Sequence, residues 1–205
     1  MKQVLVDYIG SITVTPEQIS ESMSKNNGRV IVSGVMQRGS TDADENFNQN
    51  GRSYPLPILK SVSEKYKKIF IAERRALGEL DHPESPVVNL SNVSHNVLDL
   101  WWDNNNLMGK IEILETPAGN IAKALLKAGI RLGISSRGMG SVRNLGEGKV
   151  EVQDDFEIVC WDLISNPSTQ GAFMSTTLSE GVNGEQQSNK YLKINSLIGD
   201  IISIM

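Results

Sequence analysis

Apolar positions along this chain fall into short runs of two different periods, divided by polar punctuation. Residues 28–36 (GRVIVSGVM) are β-branched and bounded by glycine, which predicts a core strand. Residues 37–53 are crowded with Ser, Asp, Asn, Gln and Gly and read as an exposed loop, of a length that often carries function. Past Tyr54-Pro55-Leu56-Pro57, the residues Ile58, Leu59, Val62, Tyr66 and Ile69 recur at helical spacing with lysines on the other faces, an amphipathic helix. Two β-favouring runs, 97–102 and 107–114, flank Asp103-Asn104-Asn105-Asn106 and predict a hairpin. Thr116 is placed as an N-cap and Pro117 at the first helical position of a helix of about three turns, with Ile121, Leu125 and Leu126 on one face. Further strands are predicted through 133–136, 150–152 and 156–164, with a turn at Gly146-Glu147-Gly148. The pattern is mostly β with two or three helices.

Near Ser175 the apolar face disappears. Residues 176–189 are polar and read as a linker, whereas 191–205 regain Leu192, Ile194, Leu197, Ile198, Ile201 and Ile202 at helical spacing. The tail is either a docking helix or a segment that packs back on the domain. A domain over 1–175 and an appendage over 176–205 follow.

Composition narrows the function classes. The 205 residues carry 20 Lys and Arg against 24 Asp and Glu, a net charge of −4, so the basic surplus of a nucleic-acid binder is missing. The single cysteine, Cys160, forms no internal disulfide and points to a reducing compartment. Neither a signal peptide nor an apolar run long enough for a membrane span is read, so a soluble intracellular protein is expected.

Three segments could carry chemistry. In GELDHP, His82 stands between an acidic pair and a proline that favours extended backbone before it; a histidine there is a candidate general base or part of a capped turn. His95 is the weaker candidate. In GISSRGMGS, Ser135 or Ser136 offers a nucleophile among small residues, and the alternative is a glycine-rich strand end or bulge. In CWDLISNP, Asp162 lies within an apolar strand, where a buried carboxylate needs a partner such as a histidine N–H; strand alternation could equally turn it to solvent. Cys160 reads as a small buried hydrophobe.

Taken together, NQNGRSYP, ALGELDHP, LWWDNNNLMGKIEIL and GISSRGMGS, in this order over roughly residues 31–168, resemble the prohead (procapsid) maturation proteases of tailed phages, of the T-even myovirus type. That family resembles the herpesvirus assemblins. The resemblance implies an α+β fold, a mostly antiparallel β-barrel of herpesvirus-protease type surrounded by helices, followed by a flexible tail. It implies a serine endopeptidase with Ser135 as nucleophile, His82 as base and Asp162 as third member, leaving Ser136 as the alternative nucleophile and Glu79, Asp81 and Asp99 as alternative acids. No cofactor and no metal are called for. The substrates would be the phage scaffold or core proteins and the major capsid protein, cut inside the assembling prohead in the host cytoplasm after Glu in Leu/Ile-x-Glu segments. Leu178-Ser179-Glu180 would be a self-cleavage site, releasing the tail, and an oligomer is compatible with this reading. Backbone N–H groups near Ser136, Arg137, Gly138 and Gly140 could form an oxyanion hole, and Arg137 would either receive the substrate's acidic side chain or pair with a structural carboxylate. Competing readings are a catalytically inactive capsid-assembly or scaffold-associated protein on the same fold, an anion-binding barrel, and a metal hydrolase using His82 and His95. Residues 1–28 are given no part in the chemistry.

Overall fold

The computed structural model describes residues 3–12, 15–83, 85–165 and 174–176. Strand β1 (Gln3–Ile12) is followed by α1 (Pro16–Lys25) and β2 (Val30–Arg38). A short β3 (Arg52–Ser53) precedes α2 (Leu56–Tyr66), which loosens into a π-helical stretch, Lys67–Ile71. Next come β4 (Leu77–Glu79), β5 (Val93–Asp103), β6 (Asn106–Ile113), α3 (Pro117–Lys127) and β7 (Leu132–Gly140). The order ends with β8 (Val142–Gly146), β9 (Lys149–Val152), β10 (Glu157–Ile164) and β11 (Met174–Thr176).

These strands form three sheets, ordered β1-β7-β10, β11-β2-β6-β5-β4 and β3-β9-β8. Every pairing is antiparallel except β3 with β9. The two larger sheets are linked by one parallel bridge, Leu80 to Leu163. The fold is α+β with mostly antiparallel sheets. It departs from the expected closed barrel, because no hydrogen-bonded ring of strands runs through both sheets among the described residues.

The core lies where α2 packs on the sheets. Trp161 of β10 is fully buried and meets Tyr66 of α2 edge to face, ring centroids 4.9 Å apart. Leu59, Ile111, Leu126 and Phe156 complete the apolar interior from other elements. Strand β7 is buried on both faces for nearly its whole length, as a central strand must be, so its alternate side chains enter two different environments.

Several elements differ from expectation. Strand β1 and helix α1 fall within residues 1–28, to which the sequence assigns no part in the chemistry; at α1, Thr15 closes a capping box: its hydroxyl accepts from Gln18 N at 3.2 Å and Gln18 Oε1 accepts from Thr15 N at 2.9 Å. Ser22 then ties α1 to β2 by donating to the Ile31 carbonyl and accepting from Ile31 N, both at 3.1 Å. In α3, Thr116 caps as expected, but the buried stripe is Ala118, Ala122 and Leu126; Ile121 is 54% exposed. The hairpin turn is tighter than the four residues predicted. Asp103 pairs with Asn106, leaving Asn104, at positive φ, and Asn105 to reverse the chain. The linker was placed from residue 176, whereas Met174–Thr176 pairs with β2; the rest of the linker, the tail and the Leu178-Ser179-Glu180 segment lie outside the described residues.

Candidate active site

Register brings the site together. Ser135 of β7 pairs directly with Asp162 of β10, and Arg137, two residues on, pairs with Cys160, so all four side chains share one face of the sheet. Ser136 and Trp161 form the intervening pair and take the opposite face. A register shift between Ile158 and Cys160, opposite Gly138 and Arg137, places a bulge in β10 at Val159 and leaves the glycine-rich strand itself regular.

His82 arrives from β4. Two hydrogen bonds lock its segment to β10: Glu79 N donates to Asp162 Oδ1 at 2.9 Å, and Asp81 N donates to the Leu163 carbonyl at 2.7 Å as part of the parallel bridge between Leu80 and Leu163. Asp81 adopts positive φ, 70°, and accepts from His82 N at 2.9 Å, which turns the chain and presents the imidazole to β7. Just upstream, Gly78 allows the close approach; a Cβ there would collide with the Trp161 carbonyl and the His95 ring.

The result is a linear hydrogen-bonded chain. The Ser135 hydroxyl lies 3.2 Å from His82 Nε2, and His82 Nδ1 lies 2.6 Å from Asp162 Oδ2. Burial alone would raise the Asp162 carboxyl, but the His82 ring, the Arg137 guanidinium and the Glu79 N–H outweigh it and hold the carboxyl below its ordinary value. An ionised carboxylate only accepts, so His82 carries its hydrogen on Nδ1. Nε2 is thereby the ring nitrogen that faces the Ser135 hydroxyl.

Behind the chain sits a charge network that the motifs did not disclose. Arg137 Nε lies 3.0 Å from Asp162 Oδ2, and NH2 donates to Asp162 Oδ1 at 3.2 Å and to Glu79 Oε1 at 2.6 Å. NH1 donates to the carbonyls of Ser85 at 2.9 Å and Val87 at 3.4 Å. Arg137 is fully buried with its fork occupied, which favours the structural-carboxylate reading over a substrate-binding one. Gly138 and Gly140 lie inside a central strand, and a Cβ at either would meet Phe156, so packing requires their smallness.

The alternatives separate by geometry. Ser136 Oγ is buried with no hydrogen-bond partner, on the far face from His82. Glu79 pairs with Arg137, Asp81 caps its own neighbour, and Asp99 meets Lys67 at 2.6 Å on the surface. Cys160 is buried, and burial together with nearby Asp162 pushes its thiol well above the ordinary value, against the pull of Arg137, so it is a poor nucleophile. Among the described residues, no cluster of three or more His, Cys, Asp or Glu is arranged to hold a metal, and no helix is long and apolar enough to cross a membrane.

His95 does not join the chain of hydrogen bonds. It is fully buried on β5, with Nδ1 2.9 Å from the Ser94 hydroxyl. Burial pushes its ring down to about 4, against opposing pulls from Asp162 and the Trp161 carbonyl. The folded state therefore refuses a proton that the unfolded chain takes near pH 6.5, and stability falls as pH drops from about 6.5 to about 4. Between pH 7 and pH 5 this group should remove on the order of 2 kcal/mol. Denaturant titrations at the two pH values should show that loss in the wild type and a smaller one in His95→Gln.

A protein-family model described as "Prohead core protein serine protease" matches residues 9–182. The "Prohead core protein protease" of Enterobacteria phage T4 is 33% identical over 134 residues, which cover 64% of this chain and 63% of that relative's length. The solved structure of the bacteriophage T4 capsid assembly protease superimposes with a TM-score of 0.67 at 24% identity, covering 81% of this chain and 99% of that one, a likeness of fold. With most of its length, including His82, Ser135 and Asp162, inside the matched region, the chain belongs to the prohead core protein serine protease family.

Proposed function

We propose that this protein is a serine endopeptidase of capsid maturation, with Ser135 as nucleophile, His82 as general base and Asp162 as the group that orients the imidazole. The observation that carries the reading is the Ser135–His82–Asp162 chain, at 3.2 and 2.6 Å, in a member of this protease family. Ser135 Oγ attacks the scissile carbonyl while its proton passes to His82 Nε2; the imidazolium, held by Asp162, then returns that proton to the leaving amine. Water repeats the cycle and releases the acyl group. Substrates on this reading are scaffold or core proteins and the major capsid protein, inside the prohead, cut after Glu in Leu/Ile-x-Glu segments. Leu178-Ser179-Glu180 makes the chain its own substrate. We read the two larger sheets, joined at Leu80 and Leu163, as the counterpart of the herpesvirus-protease barrel.

Ser135 is 0% exposed and the His82 side chain 2%, so a substrate carbonyl reaches Oγ only after whatever lies over it moves. The test is intact-mass analysis of the purified chain, alone and with scaffold assembled around it, together with a peptide containing Leu-Ser-Glu-Gly. Cuts after Glu180 and within the peptide are expected, strongest in the assembled sample. An intact chain and peptide under both conditions would refute the reading and leave a catalytically inactive assembly protein.

A further inference from the structure

We infer that Arg137 and Glu79 are positioning residues of this site, which set how strongly Asp162 holds the His82 imidazolium. The inference rests on the serine-protease reading above and extends the three-residue chain by two members. The geometry supplies the reason. Asp162 Oδ2 is shared by two donors, His82 Nδ1 at 2.6 Å and Arg137 Nε at 3.0 Å, so the guanidinium competes with the imidazole for one carboxylate oxygen. Glu79 Oε1 meets Arg137 NH2 at 2.6 Å, and both side chains are fully buried, so it draws part of that positive charge away from Asp162. A buried arginine with a single carboxylate would neutralise Asp162 and leave little for His82. With two carboxylates, one is free to serve the imidazole.

Arg137 also fixes the polypeptide around His82. NH1 binds the Ser85 and Val87 carbonyls, and Glu79 Oε1 accepts from Asn89 N at 2.9 Å, so the pair ties down both the β4 end and the chain that follows His82. The remaining groups facing this cluster are Cys160 on β10, Tyr66 from α2, His95 from β5 and Asp81 beside His82. Burial, then Cys160 and Asp162, raise the Tyr66 hydroxyl above its ordinary value, so it is neutral near pH 7. His95 and Cys160 are neutral there too. Asp81 accepts from the His82 backbone N–H rather than the ring, so Arg137 and Glu79 are the charged side chains whose contacts run directly to the His82–Asp162 pair.

Two substitutions should move the His82 titration in opposite directions. Arg137→Met removes the competing cation, and the midpoint should rise by about one pH unit; Glu79→Gln leaves Arg137 wholly to Asp162, and it should fall by a similar amount. A purely structural pair would lower stability in both variants and leave the midpoint in place. The chain has two histidines, so imidazole NMR on the full protein reads His82 directly, with His82→Gln assigning the signal, and requires no turnover. Should Arg137→Met fail to fold, the double variant with Glu79→Gln removes the pair without stranding a carboxylate and carries the same upward prediction; Arg137→Lys should restore much of the wild-type value. Midpoints that stay together, or move in the same direction, would overturn the inference. Cleavage surviving in Ser135→Ala would instead overturn the serine-protease reading, whatever the titrations show.

Discussion

Replacement of Ser135 by Ala should abolish peptide cleavage, a loss on the order of 10⁶-fold in kcat by analogy with other serine nucleophiles, while Ser136→Ala retains activity within a few-fold. The two hydroxyls are adjacent in sequence but lie on opposite faces of β7. Ser135 Oγ contacts the His82 ring, whereas Ser136 Oγ is buried without a hydrogen-bond partner. Removing an unpaired buried hydroxyl relieves a desolvation penalty, so Ser136→Ala should be neutral or slightly stabilising. Ser135→Ala removes the attacking atom and leaves the His82–Asp162 bond intact, so it should fold like the wild type. Mass analysis of cleaved product beside thermal melting checks both halves. Loss of cleavage following Ser136 instead would mean that β7 pairs with β10 one residue out of register, since a one-residue slip exchanges the two faces.

This register is also where the limits of sequence reading lie. GELDHP, GISSRG and CWDLISNP each offer a chemically plausible residue, and in any strand residues two apart share a face, as Ser135 and Arg137 do on β7 and Cys160 and Asp162 on β10. Which of those faces coincide depends on how β7 and β10 align, a long-range pairing that local pattern does not encode. The two options weighed for Asp162, a partnered buried carboxylate or a solvent-facing one, are separated only by that alignment. Arg137 illustrates the same limit: its partner Glu79 is 58 residues away in sequence and comes close because β4 runs beside β10. Helix α1 failed for a different reason. Thr15-Pro16-Glu17-Gln18 is a local capping signal, but the helix behind it buries only Ile19 and Ser22, too few large apolar positions to show a helical stripe. Ile121 failed because alanines carry the buried stripe of α3, and hydrophobic periodicity gives more weight to large side chains than to the small ones that permit close packing.

Asp162→Asn should reduce kcat by about 10⁴-fold with little change in KM, because the amide reverses the polarity of the bond to His82. Its NH2 group can donate to Nδ1, which moves the ring hydrogen to Nε2 and points a donor at the Ser135 hydroxyl where an acceptor is required. Folding should survive better than for removal of a lone buried ion's partner, since Arg137 keeps Glu79 at 2.6 Å and the interior loses one charge without leaving the guanidinium unpaired. The pH dependence of stability should change as well. The Asp162 carboxyl is held below its ordinary value in the folded protein, so the wild type has a stabilising contribution above roughly pH 4 that disappears as acid protonates the group, and Asn lacks it. Asp99→Asn is the control, because that carboxylate is 49% exposed, paired with Lys67 and removed from the ring, and activity should be unchanged. Steady-state kinetics on the three proteins, with unfolding curves at pH 7 and pH 3.5, decide the matter. Equal activity of Asp162→Asn and wild type would show that the imidazole is oriented without this carboxylate, and the Ser135–His82 pair would have to work as a dyad.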